Sequence, residues 1–117
     1  MIDAEKALQK SGHHGKIGKF NSAEELKDFK TATLYDDLGL YRAAAISFGL
    51  LSDNYPDSKN ADKYKMLTVK AYFKFAENSF AEKQKERYTK VIEESNDFID
   101  RYSDSPLLPE VKNLKKQ

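Results

Sequence analysis

The sequence predicts an all-α fold: antiparallel helix pairs stacked as a short solenoid, about two repeat units plus capping helices. Three observations predict it. Apolar residues recur at helical spacing through four successive segments. Serine, glycine and proline fall where those segments would start and stop. A block that begins at Tyr41 returns in degenerate form at Tyr88.

Residues 1–10 are a short helix candidate with Ala4, Ala7 and Leu8 on one side. Gly12, Gly15 and Gly18 then break it, and Ser11-Gly12-His13-His14-Gly15 reads as a loop. Ser22 is a good N-cap, and Glu25 completes a capping-box pattern. From there Leu26, Phe29, Thr33 and Leu34 lead at helical spacing to Leu38, and Gly39 offers a C-terminal stop. The connection is so short that the next helix must run antiparallel. That second helix spans about 41–54, with Tyr41, Ala44, Phe48, Leu51 and Tyr55 as its stripe; Pro56 ends it, and Asp57 or Ser58 caps the next.

The third helix, about 59–79, carries two apolar stripes: Tyr64, Leu67, Ala71, Phe75 and Met66, Val69, Phe73, Ala76. A helix apolar over most of its circumference must be covered on two sides, which places it mid-stack. The fourth, about 81–101, has one stripe through Tyr88, Val91/Ile92, Ser95, Phe98/Ile99 and Tyr102, and Glu86–Lys90 on its outer face. Pro106 and Pro109 leave room for a lysine-rich capping helix at about 107–116. The domain reading is therefore an N-terminal helix and Gly/His loop over 1–22, then a repeat domain over 23–117 with helix pairs at about 23–54 and 59–102.

Setting Tyr41 on Tyr88 superposes Asp53 on Asp100, Tyr55 on Tyr102, Asp57 on Asp104 and Ser58 on Ser105. Small Ala44 allows close helix approach, Phe48 fills the gap a turn later, and Tyr55-Pro56 turns the chain into the next unit. With Ala32, Tyr35 and Gly39 before it, the stretch 23–56 resembles a tetratricopeptide repeat. The second unit resembles it less well, because extra residues around Glu77–Gln84 are expected to separate its helices.

Composition narrows the function classes. Among 117 residues, 20 Lys and Arg stand against 19 Asp and Glu, for a net charge of +1 with the signs well mixed. A nucleic-acid binder would show a basic excess or block, so no nucleic-acid partner is expected. The chain has no cysteine, hence no disulfide, thiolate or Cys-ligated zinc. It has no apolar run long enough to span a bilayer, so no direct membrane insertion is expected. Met1-Ile2-Asp3-Ala4-Glu5 does not read as a signal peptide, and the chain as given reads as soluble.

A longer stretch is more specific. Leu34-Tyr35, the run Gly39-Leu40-Tyr41-Arg42-Ala43-Ala44-Ala45-Ile46 and Tyr55-Pro56-Asp57-Ser58 resemble a late repeat of the BamD-type outer-membrane protein assembly lipoproteins. Ala76-Glu77-Asn78-Ser79, Glu82-Lys83-Gln84-Lys85-Glu86-Arg87-Tyr88 and Phe98-Ile99-Asp100 are similar to the long inter-helix segment and final repeat of one branch of that family. The resemblance covers about residues 28–105. It implies a non-catalytic scaffold on the periplasmic side of the outer membrane, whose partners are other subunits of the assembly machinery, the barrel-forming subunit among them. Lacking a cysteine, this chain cannot carry the family's lipid anchor itself. With about two units it fits a C-terminal fragment, and equally a short paralogue. The alternative is a free-standing helical-repeat adaptor that binds a peptide or partner protein in another compartment.

The candidate partner-binding residues are Lys63, Lys70, Lys74 and Glu77, the polar strip of the third helix. By the resemblance they would line a concave groove and steer an acidic partner segment; the competing reading is the solvated edge of a buried helix. No catalytic residue, metal ligand or cofactor is expected. His13-His14 lacks the further ligands of a zinc motif. The tyrosines read as packing residues. Asp36 and Asp37, adjacent on a helix, point apart and make a poor acid–base pair.

Overall fold

The computed structural model describes residues 17–116. Among them are five helices and no strand: α1 (Ala23–Asp37), α2 (Tyr41–Asn54), α3 (Ala61–Glu77), α4 (Ala81–Arg101) and α5 (Leu108–Lys116). The fold is all-α, each helix packing on the next in chain order, with α5 also touching α3. The candidate helix at 1–10 and the His13-His14 loop lie outside the described residues.

Ser22 caps α1 by accepting the Glu25 backbone N–H at 3.1 Å, while Glu25 reaches back to the N–H of Asn21 at 3.1 Å. The capping box thus forms with its reciprocal bond one residue early. At the other end Gly39 sits at φ +78°, with its N–H on the Asp36 carbonyl and the Leu40 N–H on that of Tyr35. This is a Schellman motif, and its left-handed residue is the reason a glycine stands there. Before α3, Ser58 Oγ accepts the Asn60 N–H at 3.1 Å, so it caps the preceding turn rather than the helix. Asn60, at the N-cap, makes no side-chain cap bond.

The expected α1 stripe is rotated. Its buried residues are Glu25, Phe29, Ala32, Thr33 and Asp36, whereas Leu34 and Leu38 are more than half exposed. Phe29 decides the facing: its ring meets Phe20, Phe48 and Tyr64 within 6.0 Å, and that aromatic cluster outweighs the aliphatic row.

Two cores flank α3. One joins Phe29 and Ala32, then Ala44, Ala45, Phe48 and Leu51, then Tyr64, Leu67 and Ala71, with Ile17 at its edge. The other joins Met66, Phe98 and Val111, with Tyr102, Leu107 and Leu108 against it. Tyr64, Leu67 and Ala71 of α3 enter the first core and Met66 the second, so the helix is covered on two sides. Residues 17–20 pack with the first core: Asn60 fastens Gly18 through bonds of 2.7 and 3.1 Å, where a β-carbon on Gly18 would crowd Asn60 Oδ1.

The second hairpin is longer, but not through a linker. Its turn (78–80) matches that of the first (38–40), and Ala81–Gln84 are already helical. The extra length is in the helices, 17 residues in α3 against 15 in α1 and 21 in α4 against 14 in α2. Good helix formers at Glu82, Lys83, Gln84 and Lys85 extend α4 rather than loop out. The seven extra residues of α4 make it roughly 10 Å longer than α2, whereas α3 exceeds α1 by two residues only.

Candidate functional site

A groove lies over one side of α3, between α2 and α4. It has a volume of about 810 Å³ and is lined by Arg42 and Ile46 of α2, Tyr72 and Phe75 of α3, and Glu86, Arg87, Thr89, Lys90 and Glu93 of α4. The floor is aromatic and aliphatic and the walls carry charge. The Arg87 guanidinium stacks 4.2 Å from the centre of Phe75 and donates to Ser79 Oγ at 2.6 Å. One turn on, Lys90 Nζ lies 5.5 Å from the Tyr72 ring and 3.4 Å from Glu94. Lys90 pairs forward with Glu94 and Glu93 rather than back with Glu86. Phe73 meets Tyr88 edge-on at 5.7 Å and holds the helices apart at this spacing.

A partly buried ion cluster joins α3 to α4. Lys65 is almost fully enclosed and pairs with Glu94 at 2.5 Å and Asp97 at 2.6 Å. Burial pulls its pKa down, but the hydrogen bonds and charges of Asp97 and Glu94 outweigh that and the net shift is upward. Asp97 shifts the opposite way: burial opposes its ionisation, and the bond and charge of Lys65, then Arg101, lower its pKa overall. Arg101 continues the chain to Asp53 of α2 at 3.4 Å.

The predicted strip lies on the other side of α3. Tyr72 is two residues from Lys70, roughly 200° around the helix, so the groove and the lysines face apart. Lys70 is tied to Glu110 of α5 at 2.7 Å, and Lys74 to Asp36 of α1 at 3.4 Å with the Tyr41 ring 5.5 Å away. Lys63 is partly buried near Gly18, and the exposed Glu77 offers its carbonyl to Gln84. The structure keeps the four on one side, but two of them serve to join α3 to its neighbours.

Glu25 is the buried polar hub. It is fully enclosed and accepts from Ser58 Oγ at 2.6 Å and from the Tyr64 hydroxyl. Burial, then the bond to Glu25, pushes the Tyr64 phenol far above its ordinary value. At the rim Tyr55 donates to Asp28 at 2.8 Å, and that bond foremost raises its pKa to about 12. The hub recurs in the second hairpin: Ser105 Oγ accepts the Leu107 N–H at 3.1 Å and donates to Asp62 at 2.7 Å, as Ser58 does with Asn60 and Glu25.

Among the described residues no group of three or more His, Cys, Asp or Glu could hold a metal ion, and no helix is long and apolar enough to cross a membrane. No protein-family model matches the chain, and no curated protein matches it. The groove was not foreseen from sequence, because Arg87 and Phe75 meet only once the hairpin closes. The hub left one signal, since Ser58 and Ser105 stand at the same place in the repeated block.

Proposed function

We propose that the protein is a non-catalytic interaction scaffold made of stacked tetratricopeptide-like hairpins, acting as a subunit, or the C-terminal part of one, of the machinery that assembles outer-membrane proteins. The observation that carries the repeat reading is the recurring polar unit. Ser58–Glu25 and Ser105–Asp62 stand at equivalent places in consecutive hairpins, on either side of a helix that belongs to two cores. A stack built this way presents long helix faces, which suits binding. The assembly role rests on the resemblance of residues 28–105 to the BamD-type lipoproteins, and it makes the barrel-forming subunit the expected partner on the periplasmic side of the outer membrane.

The test is affinity isolation of the tagged protein from detergent-solubilised envelopes of its source cells. Co-isolation of the barrel-forming assembly subunit is expected. Recovery with cytosolic proteins alone would contradict the assembly role and favour an adaptor working elsewhere.

A further inference from the structure

We propose that the groove between α2 and α4 takes a short extended partner segment carrying an apolar side chain flanked by carboxylates. This rests on the scaffold reading and names what one face of the scaffold binds. The two arginines argue for it. Among the described residues, no carboxylate pairs with Arg42 or Arg87, although both line one groove with an aromatic floor. The third cation of the groove, Lys90, is matched by Glu94 and Glu93 of its own helix. Two guanidiniums at one site favour planar, bidentate carboxylate recognition.

The floor supplies the second half of the specificity. Tyr72 and Phe75 are half-buried, each with one face taken by a cation of α4, and Ile46 beside them is 44% exposed. An apolar side chain laid on this floor removes exposed hydrocarbon from water. Length follows from α4: residues 86–93 cover roughly 10 Å of helix, which about three residues of extended chain would span. Glu86 and Glu93 on the wall make the groove mixed in charge. A polyanion such as nucleic acid or an anionic bilayer would be repelled by them, whereas a carboxylate placed at each arginine would not.

The probe is a fluorescein-labelled peptide, Gly-Asp-Leu-Glu-Gly, against its amide counterpart Gly-Asn-Leu-Gln-Gly, titrated into the isotope-labelled full chain and followed by amide chemical shifts. Saturable shifts are expected at Arg42, Ile46 and residues 86–93 with the acidic peptide, and at least tenfold weaker binding of the amide form. Arg42→Glu, at an exposed position in the first turn of α2, should abolish the shifts while the melting temperature stays within a few degrees. Equal binding of the two peptides, no saturable shift, or unchanged binding by Arg42→Glu would overturn the proposal. Stronger binding of anionic phosphatidylglycerol vesicles than of the peptide would also overturn it. Because the peptides are read on the isolated chain, a failure here leaves the envelope isolation to judge the scaffold role separately.

Discussion

Glu25→Ala removes the acceptor for three donors: the Asn21 N–H, the Ser58 hydroxyl and the Tyr64 hydroxyl. Asn21 is exposed and can turn to water, so its loss amounts to part of a cap, about 1 kcal/mol. Ser58 and Tyr64 are buried, and each is left with a donor that has nowhere to go, at about 1–3 kcal/mol apiece. Relief from burying a carboxylate offsets some of this. The net expectation is a loss of about 3–5 kcal/mol, a large share of the 5–15 kcal/mol typical of a domain this size. Asp62→Ala, at the equivalent half-exposed place, removes the Ser105 bond and should cost only about 0.5–1.5 kcal/mol. Urea unfolding followed by circular dichroism measures both. If Glu25→Ala came within 1 kcal/mol of the parent, or Asp62→Ala cost as much, the claim that the buried hub fastens α1 to α3 would be wrong.

Other perturbations probe other joints. The lowered pKa of Asp97 means its contribution is complete above the unfolded carboxyl value and is lost as pH falls through the lower folded one; Lys65, shifted up, contributes at low and neutral pH and loses its share as pH rises through its folded value. Lys65→Met should therefore flatten the pH dependence of the urea midpoint at both ends, and an unchanged profile would count against the ion cluster. Gly39→Ala meets no atom within 4 Å, so its cost should be the left-handed backbone alone, about 1–2 kcal/mol, with Gly39→Asn milder in the same urea assay. Val111 is the one buried residue of α5, and Val111→Ala should release the α5 amides to hydrogen exchange while α1 and α2 keep their protection. Phe98→Ala should cost about 3–5 kcal/mol by opening the second core, checked by urea unfolding.

The helices were legible because their punctuation is local. Ser22 and Gly39 act through bonds within a few residues of themselves, so the sequence shows them directly. The doubled stripe of α3 was legible for a similar reason, since one helix carries the whole pattern. The facing of α1 was not: its aliphatic row competes with Phe29, and only the distant rings of Phe48 and Tyr64 settle which side is buried. Lys65 escaped notice because a lysine reads as surface until Glu94 and Asp97 arrive from another helix. Lys63, Lys70, Lys74 and Glu77 share one side of α3, but the partners Asp36 and Glu110 come from α1 and α5, which spacing along α3 does not reveal.

The proposed scaffold role and the proposed groove ligand together put a partner protein on the face between α2 and α4. A photo-crosslinking residue placed at Thr89, on the groove wall, tests it in living cells against the same residue placed at Lys112 on the outer side of α5. A discrete adduct with the barrel-forming assembly subunit is expected from position 89, lost when Arg42→Glu is added, and none from position 112. No adduct at 89, or identical adducts from both positions, would contradict it.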